Sequence, residues 1–265
     1  MAKSKVPAAY YVREWYDKSG IDYFGAFVKV YIPFNAWMNL HFQGNDREML
    51  ERVKNETNTF RTKIETLLTL NDTAGYEFRG LIGVLHGALE ESTVANSGEK
   101  ITFESVVIGK NPTDNVACKY HGIEYKVHYD VSKGMTTIEV TDVKKSKVYV
   151  NLSVKGYPSD EDVTSDAQIK ALNQSRRDYL LGVYRQVNPK KIESLLYKGK
   201  KEKEGIKCGA CKMVSDVHKV AAGLIEIIYS LRNALFHGII DPNKDANKVY
   251  GAAYQIMYTL VGALT

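Results

Sequence analysis

The hydrophobic periodicity of this chain changes twice, and no other feature restricts the fold as much. On either side of a central block, apolar residues recur at helical spacing, which marks elements that bury one face against their neighbours. The central block, residues 98–156, alternates instead. Ile101 to Ile108, 116–130, 135–143 and 147–155 are strand-like, and Val148-Tyr149-Val150-Asn151-Leu152-Ser153-Val154 is both alternating and rich in β-branched residues. Turn signals at Asn111-Pro112, Lys133-Gly134 and Lys144-Lys145-Ser146 divide it. A helical pattern does not sit well as a strand, nor a strand pattern as a helix. The expectation is therefore a mainly α protein, an up-and-down helical bundle with an inserted small antiparallel β-sheet. Its parts are 1–97, the first part of the bundle; 98–156, the sheet; and 157–265, the second part.

In the first part, aromatic residues are dense from Tyr10, Tyr11, Trp15 and Tyr16 through to Phe42. Phe27, Val30, Tyr31, Phe34, Met38 and Phe42 fall at helical spacing, which predicts a buried helix over 22–43, with Pro33 as a point of kinking. Asn45 or Asp46 caps a second helix, 46–70, and a third runs over 76–91. Beyond the sheet, the spacing predicts helices over 166–187 (capped by Thr164 or Ser165), 190–197, 212–237 and 245–264. An apolar fraction of 44% is ample for such a core. No run is apolar enough for a transmembrane helix, and the first residues lack the apolar stretch of a signal peptide, so a soluble cytoplasmic protein is expected. The formal charge of +5 tolerates a polyanion without diagnosing one.

Chemistry concentrates in one stretch near the C-terminus, Ile227-Ile228-Tyr229-Ser230-Leu231-Arg232-Asn233-Ala234-Leu235-Phe236-His237-Gly238. On a helix, Glu226, Tyr229, Asn233 and His237 form one polar stripe, with Arg232 about 100° to its side. Val217, Val220, Leu224, Ile228, Leu231 and Leu235 form the opposite, apolar stripe. A guanidinium, an amide and an imidazole at one helix end suit a phosphate. Read from the residues alone, a histidine at a helix end also caps the last carbonyls.

The order Arg232, Asn233, three residues, His237 resembles the signature of the HEPN superfamily, helical domains of many prokaryotic RNA-cleaving toxins and defence proteins. That signature is an Arg followed by four to six residues and a His, with a polar residue directly after the Arg. Its place here, ending an apolar-striped helix that precedes one last helix, matches as well. Phe34-Asn35-Ala36-Trp37 looks like the aromatic first helix of such domains. The resemblance implies a HEPN-like bundle and a metal-independent endoribonuclease of a toxin or antiphage-defence system. In it the 2′-hydroxyl of RNA attacks the adjacent phosphorus and leaves 2′,3′-cyclic phosphate ends. Arg232, Asn233 and His237 would be catalytic, with Tyr229, Glu226 and Asn35 supporting; Asn35 would orient the arginine or else be a satisfied core amide. No cofactor is implied. RNA is the implied substrate, and a homodimer would place two motifs in one cleft, with an antitoxin or defence-system protein as a further partner. Toxins paired with a nucleotidyltransferase often carry Tyr two residues after the His; Ile239 stands there, so silencing by modification of that tyrosine is not implied. Two other readings stay open: a HEPN-like module that binds RNA or protein without cutting, and a scaffold in which Arg232 pairs with a carboxylate and His237 caps the helix.

Other chemistries have less support. Cys208-Gly209-Ala210-Cys211 is a single CxxC, whereas a structural zinc site takes four ligands and only Cys118 and scattered histidines remain. There is no phosphate-binding glycine loop; Gly80-Leu81-Ile82-Gly83 is too short and lies in a helical pattern. His86 sits on a mixed helix face as a structural residue. His121 and His128, with Lys119 and Lys126, either face RNA or line an exposed strand face. The basic loop with Lys198, Lys200, Lys201 and Lys203 either tracks RNA phosphates or is simply solvated.

Overall fold

In the computed structural model, residues 20–96, 98–199 and 204–264 are described. About 50% of them are helical and 21% lie in strands, in four sheets of two to four strands. The fold is therefore mixed α/β, which corrects the expectation of a mainly α, up-and-down bundle. Tyr10, Tyr11, Trp15, Tyr16, Lys200, Lys201 and Lys203 lie outside the described residues.

Two compact units form: one from the described residues up to Val106 together with those from Glu193 onward, the other from Val107–Ile192. In the first, α1 (Tyr23–His41) starts at Asp22, whose carboxylate accepts the Phe24 and Gly25 N–H groups, and continues through Pro33. The stretch expected as one helix over 46–70 is two, α2 (Asp46–Asn55) and α3 (Thr59–Thr69). Asn58 causes the break: its side chain donates to the Val53 and Glu56 carbonyls and accepts from Arg61 N–H, closing one helix and opening the next. α4 (Thr73–Glu91) leads into a two-stranded turn, β1 (Ala95–Asn96) and β2 (Glu99–Lys100). The unit ends with α8 (Val217–Phe236) and α9 (Lys244–Val261).

α8 is the centre of this unit. Every residue from Val220 to Ile228 is buried, Glu226 included. A helix buried on all sides at its middle lies inside the core rather than on it, so the one-sided stripe expected from sequence describes only its ends.

Before α8, where helices were expected over 190–197 and from 212, the chain is extended. β8 (Lys190–Glu193) pairs with β3 (Val106–Lys110), and β9 (Ile206–Cys208) pairs with β10 (Cys211–Met213) in a tight hairpin. This hairpin lies against α4 at Gly83, where a Cβ would stand 2.3 Å from the Cys208 carbonyl oxygen. Gly83 thus serves helix–hairpin packing, whereas a Cβ at Gly80 would meet nothing within 4 Å.

The second unit carries the sheet β4 (Asn115–Tyr120), β5 (Ile123–Asp130), β6 (Met135–Asp142) and β7 (Lys147–Lys155), an antiparallel meander in that order. The strand-like run 116–130 is a hairpin, because His121 and Gly122 both take positive φ (49° and 77°), as the tightest hairpin turns require. On one sheet face Ile123, Tyr125, Val127, Ile138, Val140 and Val150 are buried against Val163, Ile169, Leu172, Leu180, Val183 and Tyr184. Those partners come from α5 (Asp160–Ser165), α6 (Ala167–Lys170), α7 (Gln174–Tyr184) and, for Leu172, the turn between α6 and α7. The helices after residue 157 therefore belong with the sheet, and the expected boundaries at 97/98 and 156/157 move to 106/107 and 192/193. Their apolar stripes are real; they cover a sheet.

Candidate active site

The polar stripe of α8 runs from the interior to the surface, and its members end in different surroundings. Glu226 is buried and accepts two charged hydrogen bonds, from Arg47 Nη1 at 2.6 Å and from Lys54 Nζ at 2.7 Å. The Lys54 side chain is fully buried and also reaches Glu51 at 3.1 Å. Arg47 in turn pairs with Glu51 at 2.5 Å and stands 5.9 Å from the centre of the Tyr229 ring. Glu226, expected to support the site, thus belongs to an ion-pair network between α2 and α8, and Tyr229, expected to do the same, lies beside it under the Arg47 guanidinium.

One turn further on, Arg232 is only 22% exposed at its side chain and is held from several directions. Its Nη1 donates to Asn233 Oδ1 at 2.9 Å, and its Nη2 donates to Asp46 Oδ2 at 3.1 Å. The guanidinium lies 4.8 Å from the Phe236 ring centre and 5.8 Å from that of Tyr31. Burial pushes the Tyr31 phenol well above its ordinary range, with the Arg232 charge acting in the opposite direction. Asp46 sits at the first turn of α2, beside a capping box in which Asn45 and Glu48 bond each other's backbone N–H groups.

His237 is the C-cap of α8, directly after Phe236, where the backbone itself closes the helix. Ile239 N–H reaches the Ala234 carbonyl and Gly238 N–H the Leu235 carbonyl, with Gly238 at φ 65°. This left-handed closure satisfies the terminal carbonyls without any side chain. The imidazole is exposed, and among the described residues it has no hydrogen-bonding or ionic partner. The capping role that the residue type suggested is filled by the backbone.

Asn35 stands apart from both roles expected of it. Its Oδ1 is buried without a hydrogen bond, so it neither orients Arg232 nor is satisfied in the core. Trp37 packs on Phe34, Phe60 and Phe42. Lys198 is exposed and pairs with Glu104 at 3.4 Å. The CxxC occupies the β9–β10 hairpin: Cys208 is fully buried, burial pushes its thiol up to about 12, and Cys211 Sγ contacts the Cys208 carbonyl. Among the described residues no three His, Cys, Asp or Glu side chains are grouped as a metal site. His128 stands on the open sheet face with Lys126, which pairs with Glu124 at 3.0 Å, and His86 packs edge-on against Phe103.

Sequence reading passed over Asp46, Arg47, Lys54 and Tyr31 as site residues. Asp46 was read only as a helix cap, and Arg47 and Glu51 carry the weak signal of opposite charges four apart. Nothing in the sequence marks Lys54 as buried. Arg47 and Lys54 are balanced by Glu51 and Glu226, while Arg232 meets the single carboxylate of Asp46 at Nη2 and its Nε is buried without a hydrogen bond.

No protein-family model, no curated protein and no solved structure matches this chain. Among the described residues no helix is long and apolar enough to cross a membrane.

Proposed function

We propose that the end of α8 is the active site of a metal-independent endoribonuclease of the HEPN type, working in the cytoplasm in a toxin or antiphage-defence system. The observation that carries this reading is the His237 imidazole, exposed and, among the described residues, without a partner, at the helix end that also holds the Arg232 guanidinium. The 2′-oxygen of RNA forms a bond to the neighbouring phosphorus as the bond to the 5′-oxygen breaks. His237 takes the 2′ proton as a neutral base or delivers a proton to the leaving 5′-oxygen as an imidazolium. Arg232, released from Asp46, meets the charge that develops on the non-bridging oxygens, while Asn233 keeps the guanidinium in place.

One histidine serves one of the two proton transfers, so a homodimer supplies the other. Phe236 and Ile239, 55% and 52% exposed beside His237, give a second copy apolar surface to cover. A protein partner such as an antitoxin would find the same surface. Exposed Ile239 leaves no tyrosine hydroxyl at that position to be modified.

A second reading rests on the Arg232–Asp46 pair: a guanidinium already neutralised by a carboxylate suits a module that binds RNA or protein without cutting it. Purified protein, Arg232→Ala and His237→Ala separate the two when incubated with labelled structured and single-stranded RNA in EDTA. Cyclic-phosphate ends that both substitutions abolish establish the ribonuclease. RNA retained but uncut by all three establishes the binding module.

A further inference from the structure

Away from this site, a cavity of about 680 Å³ opens between α1 and α9. None of the Arg232-to-His237 residues lines it. Its volume falls in the range of small-molecule sites, which are mainly apolar with a few placed polar groups. Ala26, Val30 and Pro33 line it from α1, and Tyr254 and Tyr258 from α9. Helix spacing explains the opening. Gly25 and Ala26 present almost no side chain, and the two tyrosines, four residues apart, stand on one side of α9.

Two charged residues line the cavity, and they differ in availability. The Asp22 carboxylate is engaged at the α1 start, accepting the Phe24 and Gly25 N–H groups at 3.0 and 3.4 Å. Lys29 is exposed and, among the described residues, has no carboxylate partner. The cavity thus offers apolar and aromatic walls with Lys29 as the cation among its lining residues, while the Asp22 carboxylate stays charged and is turned onto the α1 amides. A neutral apolar molecule leaves the Lys29 charge unused, and a polyanion meets walls that cannot solvate its remaining charges.

We propose that the α1–α9 cavity binds a small amphipathic monoanion, an aliphatic or aromatic body bearing a single carboxylate. The body lies against Ala26, Val30, Pro33 and the rings of Tyr254 and Tyr258, and the carboxylate meets Lys29 Nζ. This site is independent of the ribonuclease reading and stands or falls without it.

Titration calorimetry on the full chain tests it, with decanoate below its micellar concentration as probe and decan-1-ol as the uncharged comparator. The expected result is one decanoate per chain, weakened about five-fold in Lys29→Ala, the upper range for an exposed ion pair. Lys29→Glu weakens it further, and decanol binds more weakly than decanoate. Ala26→Trp fills the cavity and removes binding; because Lys29 is exposed, the Lys29 variants test the same site without altering the packing. Equal binding of decanol and decanoate, several decanoates per chain, or unchanged affinity in both Lys29 variants overturns the proposal. So does absence of decanoate binding, including the case in which Ala26→Trp turns a self-associating protein into a monomer, which identifies a second copy as the occupant.

Discussion

Glu226 and His237 lie on one stripe of one helix and its cap, yet among the described residues the first has two charged partners and the second has none. Glu226 is locked in the interior by Arg47 and Lys54. His237 stands in solvent at a helix end that the backbone has already closed. Polar residues at matching helical positions therefore divide by depth. The inner one holds α2 against α8, and the outer one is available for chemistry. Arg232 lies between these extremes, partly exposed and paired on one side.

The sharpest way to break this comparison is His237→Ala. Cleavage is expected to fall about 10²–10⁴-fold, the usual loss when a general acid or base is removed. Its urea midpoint should correspond to a stability change within about 0.5 kcal/mol. A large loss of stability would mean that the imidazole holds the fold after all. Glu226→Ala is expected to do the reverse, destabilising by about 3–5 kcal/mol because Arg47 and the buried Lys54 both lose the carboxylate they share and are left on Glu51. The same denaturation measurement on the double substitution Lys54→Met, Glu226→Leu sharpens the point. Replacing both charges with apolar groups should recover most of that loss, and failure to recover it would assign the loss to packing instead of charge. The smallest effect belongs to Asp46→Asn. Its pair with Arg232 is partly exposed, so stability should change by less than about 1 kcal/mol. RNA binding, followed in the His237→Ala background, should tighten by a few-fold as the competing carboxylate disappears. Weaker binding would show that Asp46 positions Arg232 for the phosphate.

The sequence discloses periodicity well and partners poorly. The helix read over 22–43 is α1, Tyr23–His41, and the one read over 245–264 is α9, Lys244–Val261, because long apolar stripes and good caps leave little choice. Strands 135–143 and 147–155 are similarly visible as β6 and β7. What the stripe of Ile169, Leu172, Leu180 and Val183 packs against is not written in its spacing, and it covers a sheet, where a bundle had been expected. Strands as short as β8, β9 and β10 hold too few residues to show a period. At the candidate site, the grouping of Arg232, Asn233 and His237 at one helix end was legible from residue type and spacing. Asp46, Arg47 and Lys54 were not, since they come from a segment some 180 positions earlier, as the Asp46–Arg232 separation of 186 shows.

The backbone closure at Gly238 has a consequence for how this protein changes over generations. Because Ile239 and Gly238 satisfy the end of α8, folding makes no demand on the side chain at position 237. A lineage that lost the imidazole would keep the whole scaffold and, if the proposed ribonuclease reading holds, would pass from enzyme to inert binder by one substitution that no stability screen would notice. The reverse step is as short. At this position, retention of histidine would record use, because folding alone does not protect it.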